Sequence, residues 1–303
     1  MAGLMRRLSI RGLSIFAIAS ATLFTTGLSR SLAAATAIPQ ATVPQATVDT
    51  LPPASVQANR RFAQQFCSAD LAPAMDAIVG RSQFATADWG IEVYALMDDR
   101  ALYAHNAQRF LIPASNVKLL TTAAAIRAIV EQAPERLWNF RDDLNLVNRD
   151  SNNARADELL RSLGGQSRVK AMLESLGVDS DSYVQADGSG LSRSNKAEPS
   201  TFVTLLKAMY ETDDSGLFYD SLPVGGVNGT LRNRFKGTAV QGKVHAKTGT
   251  LRGVRALSGY LETDDYGTVI FSIMVNQPGQ SGRTMLAAID EMVLTMAQLE
   301  SCE

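Results

Sequence analysis

The sequence predicts an α/β sandwich, with one antiparallel sheet built from strands at both ends of the chain, helices flanking it and a small helical lobe inserted between. Three observations predict it. Strand-like runs at 90–96 and 100–105 flank the Asp98-Asp99 turn, three more at 243–250, 255–262 and 267–276 crowd toward the end, and the stretch between them carries helical periodicity.

The elements follow in chain order. Residues 1–37 hold Arg6, Arg7, Arg11 and Arg30 and no acid, around a Ser/Thr-interrupted apolar run at 13–28 and ahead of Ala35-Thr36-Ala37. This is the layout of a cleavable secretory signal peptide. The run is shorter and more polar than the ~20 apolar residues of a spanning helix, so a retained anchor is the second reading, and no stable membrane anchor is expected after cleavage. In the segment 38–65, Pro39-Gln40-Ala41-Thr42-Val43 recurs as Pro44-Gln45-Ala46-Thr47-Val48 ahead of Pro52-Pro53. So little charge and aromatic surface builds no core, and a disordered linker is expected. The folded domain is expected over 66–303.

Within it, 90–96 and 100–105 form a hairpin. Helices are expected at 115–130, 152–163, 167–176 and 199–210. The first of these carries Leu119, Leu120, Ala123, Ala124, Ile126, Ile129 and Val130 on nearly every side, which predicts a buried central helix. Asp264-Asp265-Tyr266-Gly267 turns the last two strands into a second hairpin, and a helix at 282–299 closes the chain. A cleft between sheet and lobe is the expected site.

The formal net charge is −1, and loss of the four leader arginines makes the remainder more acidic. No later Lys/Arg cluster forms a phosphate-binding stripe, so nucleic acid is not an expected partner. Cys67 and Cys302 are the only cysteines. They either stay free thiols or close the two ends of the domain, which would restrict the unfolded chain by about 4–5 kcal/mol. Two cysteines and two isolated histidines, His105 and His245, do not make a zinc site. Neither a metal nor an organic cofactor is expected.

Ser115-Asn116-Val117-Lys118, Ser151-Asn152-Asn153 and Lys247-Thr248-Gly249 occur in that order. Positions i and i+3 share a helix face, so Lys118 can reach the Ser115 hydroxyl and take its proton. Pro113 suits a helix start, placing Ser115 in the first turn, where N–H groups and the dipole favour an oxyanion. A Ser-x-x-Lys pair alone arises about once by chance in such a chain. Ser167 and Lys170 make another, read as a solvated helix face. Ser151-Asn152-Asn153 reads both as a helix cap and as a hydroxyl-amide pair for a site. Lys-Thr-Gly is rarer, and lies in a strand where Val244, Ala246 and Thr248 alternate with His245, Lys247 and Gly249. Lys247 and Thr248 can hold a substrate carboxylate, and Gly249 lets a substrate backbone approach as an added strand. The plainer reading is an edge strand kept soluble by lysine.

Together the three elements read as a serine acyl-transfer site. Lys118 must be neutral to act as base, and a nearby Lys247 ammonium supplies a reason. A Ser-His-Asp triad is poorly served, because His105 lies in the first hairpin and His245 at a strand rim.

From Cys67 onward the chain resembles the penicillin-recognising serine enzymes, most closely the D-Ala-D-Ala carboxypeptidase/endopeptidase family typified by penicillin-binding protein 4. The resemblance is carried by Pro113-Ala114-Ser115-Asn116-Val117-Lys118, by Asp187-Gly188-Ser189-Gly190-Leu191-Ser192-Arg193 with Asn195, and by Gly229-Thr230-Leu231-Arg232 through Gly242-Lys243-Val244-His245-Ala246-Lys247-Thr248-Gly249-Thr250-Leu251. It implies a β-lactamase/transpeptidase-like fold and a periplasmic or other extracytoplasmic enzyme acting on peptidoglycan stem peptides, with β-lactam antibiotics as acylating inhibitors. By that likeness Ser115 is acylated by a peptide ending in D-Ala-D-Ala, with release of D-alanine and hydrolysis of the acyl-enzyme. Lys118 is then the general base, Ser151 relays a proton, Asn153 holds the substrate amide, and Lys247, Thr248 and Thr250 bind the carboxylate. The N–H groups of Ser115 and Thr250 form the oxyanion hole, at ~3 kcal/mol per donor. The loop from Asp187 to Ser192 shapes the cleft without a chemical step.

Relatives of this type usually carry long domains between the first two motifs. Here only residues 119–150 separate Lys118 from Ser151, a shortened form. Two other functions stay open. A serine β-lactamase or esterase shares the acylation machinery, but Glu158, Glu174, Glu198 and Glu211 all lack the Leu-Asn ending of a deacylating Glu-x-x-Leu-Asn element, and no Tyr-x-Asn is present. A non-catalytic cell-wall binding or regulatory protein is the third reading.

Overall fold

The computed structural model describes residues 65–212 and 215–302. The expected signal at 1–37, and the linker as far as residue 64, lie outside them. In chain order come α1 (Ser68–Val79), the hairpin β1 (Asp88–Ala95) and β2 (Arg100–His105), α2 (Val117–Gln132), α3 (Arg141–Leu144), α4 (Asn153–Ser162) and α5 (Gln166–Glu174). A two-stranded ribbon, β3 (Tyr183–Val184) and β4 (Lys196–Ala197), leads to α6 (Pro199–Glu211) and α7 (Ser215–Asp220). Strands β5 (Val244–Leu251), β6 (Val254–Thr263) and β7 (Gly267–Asn276) and helix α8 (Gly282–Met296) complete the domain.

The sheet runs β2-β1-β7-β6-β5, every pair antiparallel. Both ends of the domain therefore build it, joined where β1 meets β7 from Asp88 opposite Asn276 to Ala95 opposite Val269. Its two faces carry different cores, because side chains alternate along a strand. Ala256, Tyr260, Ile270 and Met274 face the helical lobe of α2 and α4–α6, whereas Leu257, Leu261, Phe271 and Ile273 face α1 and α8. Covered on both sides, β6 and β7 lose the polar-apolar alternation of a surface sheet. Helix α2 is buried from Val117 to Ala128 apart from Arg127, as a central helix requires.

Helix α1 escapes the sequence reading, since Pro73 and four alanines dilute the spacing of its buried Leu71, Met75 and Ile78. It opens on Cys67, whose N–H donates to Asp70. Of the two states open to the cysteines, the structure has the bridge: Cys67 and Cys302 are bonded across 235 residues, with Cα atoms 5.6 Å apart. Beside it the Glu300 N–H donates to the Phe66 carbonyl at 2.9 Å. The two ends of the domain are thus tied together.

Candidate active site

Ser115 occupies a single 3-10 turn, Ala114–Asn116, that runs directly into α2. The sequence places it inside the α-helix; the tighter turn arises because Ala114 takes φ +49°, a left-handed value that strains a residue with a side chain by about 1–3 kcal/mol. Neighbours hold that conformation. A Cβ on Gly190 would lie 2.0 Å from the Ala114 carbonyl oxygen, so the Asp187–Ser192 loop sits directly on the turn. From the other side the buried Asn116 amide donates to Ser258 Oγ at 2.7 Å, itself 2.9 Å from Ser272 Oγ.

The second residue of α2 is Lys118, fully buried. Its Nζ lies 3.1 Å from Ser115 Oγ, 2.8 Å from Asn153 Oδ1 and 2.5 Å from the Ser189 carbonyl. Burial drives its amine down to about 8, against an opposing pull from the Asp157 and Asp187 carboxylates. A neutral amine has two N–H groups and one lone pair. Two of the three neighbours are pure acceptors, so the lone pair is left for the Ser115 hydroxyl.

The Ser189 carbonyl is held by its own scaffold. Asp157 accepts the N–H groups of Gly188 and Ser189 at 3.0 and 2.8 Å, and Asp187 accepts those of Gly190 and Ser192 at 2.6 and 2.7 Å. The glycine-rich loop that the resemblance leaves without a chemical step thus supplies a direct partner to Lys118.

Ser151 follows a π-helical turn, Asn145–Arg149, and has φ +57°. Asn152 caps α4 by accepting the Arg155 N–H at 2.9 Å, and Asn153 opens that helix facing Lys118. The triplet therefore caps a helix and also reaches the cleft. Lys247, on β5, is fully buried and donates to Ser151 Oγ at 2.8 Å and the Thr248 carbonyl at 3.1 Å. Burial first, and the Lys118 charge second, lower its pKa. The repulsion by Lys247 that the sequence offers as the reason for a neutral Lys118 is not what lowers that amine: burial does, and the repulsion acts only as the second cause on Lys247.

Strand β5 is the sheet edge. Its outer side is covered at first, where the Gly225 N–H donates to the Val244 carbonyl and the Ala246 N–H to the Pro223 carbonyl. Backbone groups alternate sides along a strand, so those of Thr248 and Thr250 point the same way, into the stretch that this cover leaves open. Gly249 faces inward, where a Cβ would lie 2.5 Å from the Pro113 carbonyl oxygen and 2.9 Å from Ala256 Cβ. The glycine seats the nucleophile turn against the strand, a different task from the substrate approach read in the sequence. His245 stacks on Tyr219 at 4.2 Å, behind that cover, and takes no part in the cleft. Of the second Ser-x-x-Lys pair, Ser167 is exposed while Lys170 braces the Ser180 carbonyl at 2.7 Å.

A cleft of about 250 Å³ opens over these groups, lined by Ser115, Ser151, Thr248, Gly249 and Thr250, together with Thr230 and Arg234, and floored by Ala256 and Leu286. Thr230 and Thr248 share a hydroxyl contact of 2.8 Å. Thr230 and Arg234 both fall within the quoted block from Gly229 to Leu251, but nothing in the spacing singles out Arg234, which reaches the cleft only through the fold of the 223–243 segment.

This fold is the one seen in serine β-lactamases: TLA-1 extended spectrum β-lactamase matches 76% of this chain and 97% of its own, with a TM-score of 0.63 at 16% identity. More specifically, residues 71–134 and 138–299 match the D-Ala-D-Ala carboxypeptidase 3 (S13) family, and the chain belongs to that family. It is 40% identical over 164 residues to a D-alanyl-D-alanine carboxypeptidase of Actinomadura sp. (strain R39), covering 49% of this chain and 30% of that protein. It is 31% identical over 174 residues to penicillin-sensitive carboxypeptidase A of Dictyostelium discoideum, covering 51% of this chain and 33% of that protein. The matches thus span about a third of the length of these curated relatives.

Proposed function

We propose that this chain is a serine-type D-Ala-D-Ala carboxypeptidase, exported by the leader at 1–37 and acting outside the cytoplasm on peptidoglycan stem peptides. The observation that carries it is the Lys118 amine 3.1 Å from the Ser115 hydroxyl, with burial lowering its proton affinity. At pH 7 a pKa of about 8 leaves about a tenth of the amines neutral, enough to serve as base near the operating pH.

In this reading Ser115 Oγ attacks the carbonyl carbon of the penultimate D-alanine as its proton passes to Lys118. The oxyanion rests on the N–H groups of Ser115 and Thr250. Collapse expels the terminal D-alanine, whose nitrogen takes a proton delivered through Ser151, which Lys247 orients at 2.8 Å. Asn153 holds the substrate amide, and Thr248 and Thr250 hold the C-terminal carboxylate. Water then hydrolyses the ester and restores Ser115. A β-lactam would acylate the same hydroxyl and leave slowly, because no Glu-x-x-Leu-Asn element supplies a deacylating base.

Fluorescent penicillin labelling beside a Ser115→Ala variant, with D-alanine release from an acyl-D-Ala-D-Ala peptide, tests this. A long-lived, Ser115-dependent adduct and Ser115-dependent D-alanine release are expected. Rapid turnover of the drug would favour a β-lactamase, and neither adduct nor release a binding protein.

A further inference from the structure

Ser151 stands between two anchors. Downstream, Asn152 caps α4, and the buried Ala156, Leu159 and Leu160 fix that helix and Asn153 with it. Upstream, the chain arrives through the π-helical turn Asn145–Arg149, closed by the Asp150 N–H on the Asn145 carbonyl at 3.1 Å and the Asn152 N–H on the Leu146 carbonyl at 3.0 Å. At the end of that turn Ser151 keeps φ +57°, a value that a residue with a side chain holds only where its surroundings impose it.

Asn148 is the polar side chain that pins the turn. It is fully buried, and its amide nitrogen donates to Ser221 Oγ at 2.8 Å and to Thr122 Oγ1 at 3.2 Å. Both hydroxyls spend their single protons on main-chain carbonyls, Ser221 on Phe218 at 2.7 Å and Thr122 on Lys118 at 2.8 Å. The 3.3 Å approach of Thr122 Oγ1 to Asn148 Oδ1 is the weaker use of that proton. Two buried acceptors therefore face position 148, and a carboxamide, with two N–H groups, satisfies both where an isosteric carboxylate or alkyl group satisfies neither. The two bonds tie the turn to both lysines. Thr122 lies one helical turn beyond Lys118 on α2, and Ser221 follows α7 and leads into Pro223, whose carbonyl accepts the Ala246 N–H next to Lys247.

We propose that Asn148 is a positioning residue for proton delivery: its two N–H groups fix the turn so that Ser151 Oγ meets Lys247 and the departing nitrogen of the substrate. The inference rests on the acyl-transfer reading above. When the scissile bond is an amide, the C–N bond breaks as the nitrogen takes, through Ser151, the proton that left Ser115. In a thioester the C–S bond breaks and the sulfur departs as thiolate, with no proton required.

The test is kcat/KM for an acyl-D-Ala-D-Ala peptide and for the thioester in which sulfur replaces the scissile nitrogen. Asn148→Ala should lower the amide rate by about 30-fold and the thioester rate by less than about threefold. Asn148→Asp, the same shape without N–H donors, should show the same selectivity, and Ser221→Ala a smaller loss of the same kind. Ser151→Ala should lower the amide rate by about 100-fold or more, and adding Asn148→Ala to it should cost less than about threefold further, because Asn148 acts through Ser151. Where urea unfolding shows that Asn148→Ala does not fold, Asn148→Asp and Ser221→Ala carry the same comparison. Amide and thioester rates falling together, an amide rate unmoved by the loss of Asn148, or losses that multiply in the double variant would overturn the proposal. A wild-type protein that turns over neither substrate and forms no penicillin adduct would overturn the acyl-transfer reading, and this inference with it.

Discussion

The two sides of the cleft are built on opposite plans. The nucleophile turn is strained at Ala114 and fixed from several directions, by Gly190, by Asn116 on Ser258 and by Gly249 beneath it. The outer edge of β5 beyond Ala246 instead offers backbone groups and hydroxyls with little cover. The difference teaches where each free energy is spent. Packing aims one hydroxyl at one amine before substrate arrives, whereas the open edge keeps its hydrogen bonds for the substrate.

The largest effect should come from breaking the aimed side chemically. Lys118→Met keeps the apolar stem and removes the base, and the penicillin acylation rate is expected to fall by about 10³-fold or more with the melting temperature maintained or raised. Gly249→Ala attacks the same side sterically, since the new methyl meets the Pro113 carbonyl. Displacement of the turn should slow acylation by about 10–100-fold and destabilise the domain by about 1–3 kcal/mol, read from the labelling rate and urea unfolding. Asp157→Asn sharpens the comparison more gently. It keeps an acceptor for the Gly188 and Ser189 N–H groups but removes a charge that raises the Lys118 pKa, so the midpoint of the acylation pH profile should move to lower pH. The smallest effect on acylation is expected from Cys67→Ser with Cys302→Ser, since neither residue lines the cleft. There the loss should appear as about 2–5 kcal/mol of stability with little change in labelling rate.

Much of this was legible in the chain. The strands at 90–96, 100–105 and 267–276, and the helices at 199–210 and 282–299, announce themselves because β-branched and apolar residues keep their period and Gly or Asp marks the turns. Ser115, Lys118, Ser151, Asn153 and Lys247 can be named because each lies in a short motif. What the sequence hides is contact between motifs. That Gly249 makes room for Pro113, that the Ser189 carbonyl meets Lys118, and that Arg234 enters the cleft on Asp290 depend on segments far apart in the chain. Burial, the main reason for a neutral Lys118, is likewise a property of the packed lobe, and periodicity around residue 118 reports only that a helix is there.

The central claim is that Lys118 takes the Ser115 proton as a neutral amine. The most direct test is the second-order rate constant for Ser115 acylation by fluorescent penicillin, followed from acid to alkaline pH. A raised proton affinity would delay the active form; a lowered one brings it toward neutrality, so the rate should climb with pH through a midpoint near 8 and level off above it. A rate independent of pH, or one still rising at the ordinary lysine value of about 10.4, would contradict it.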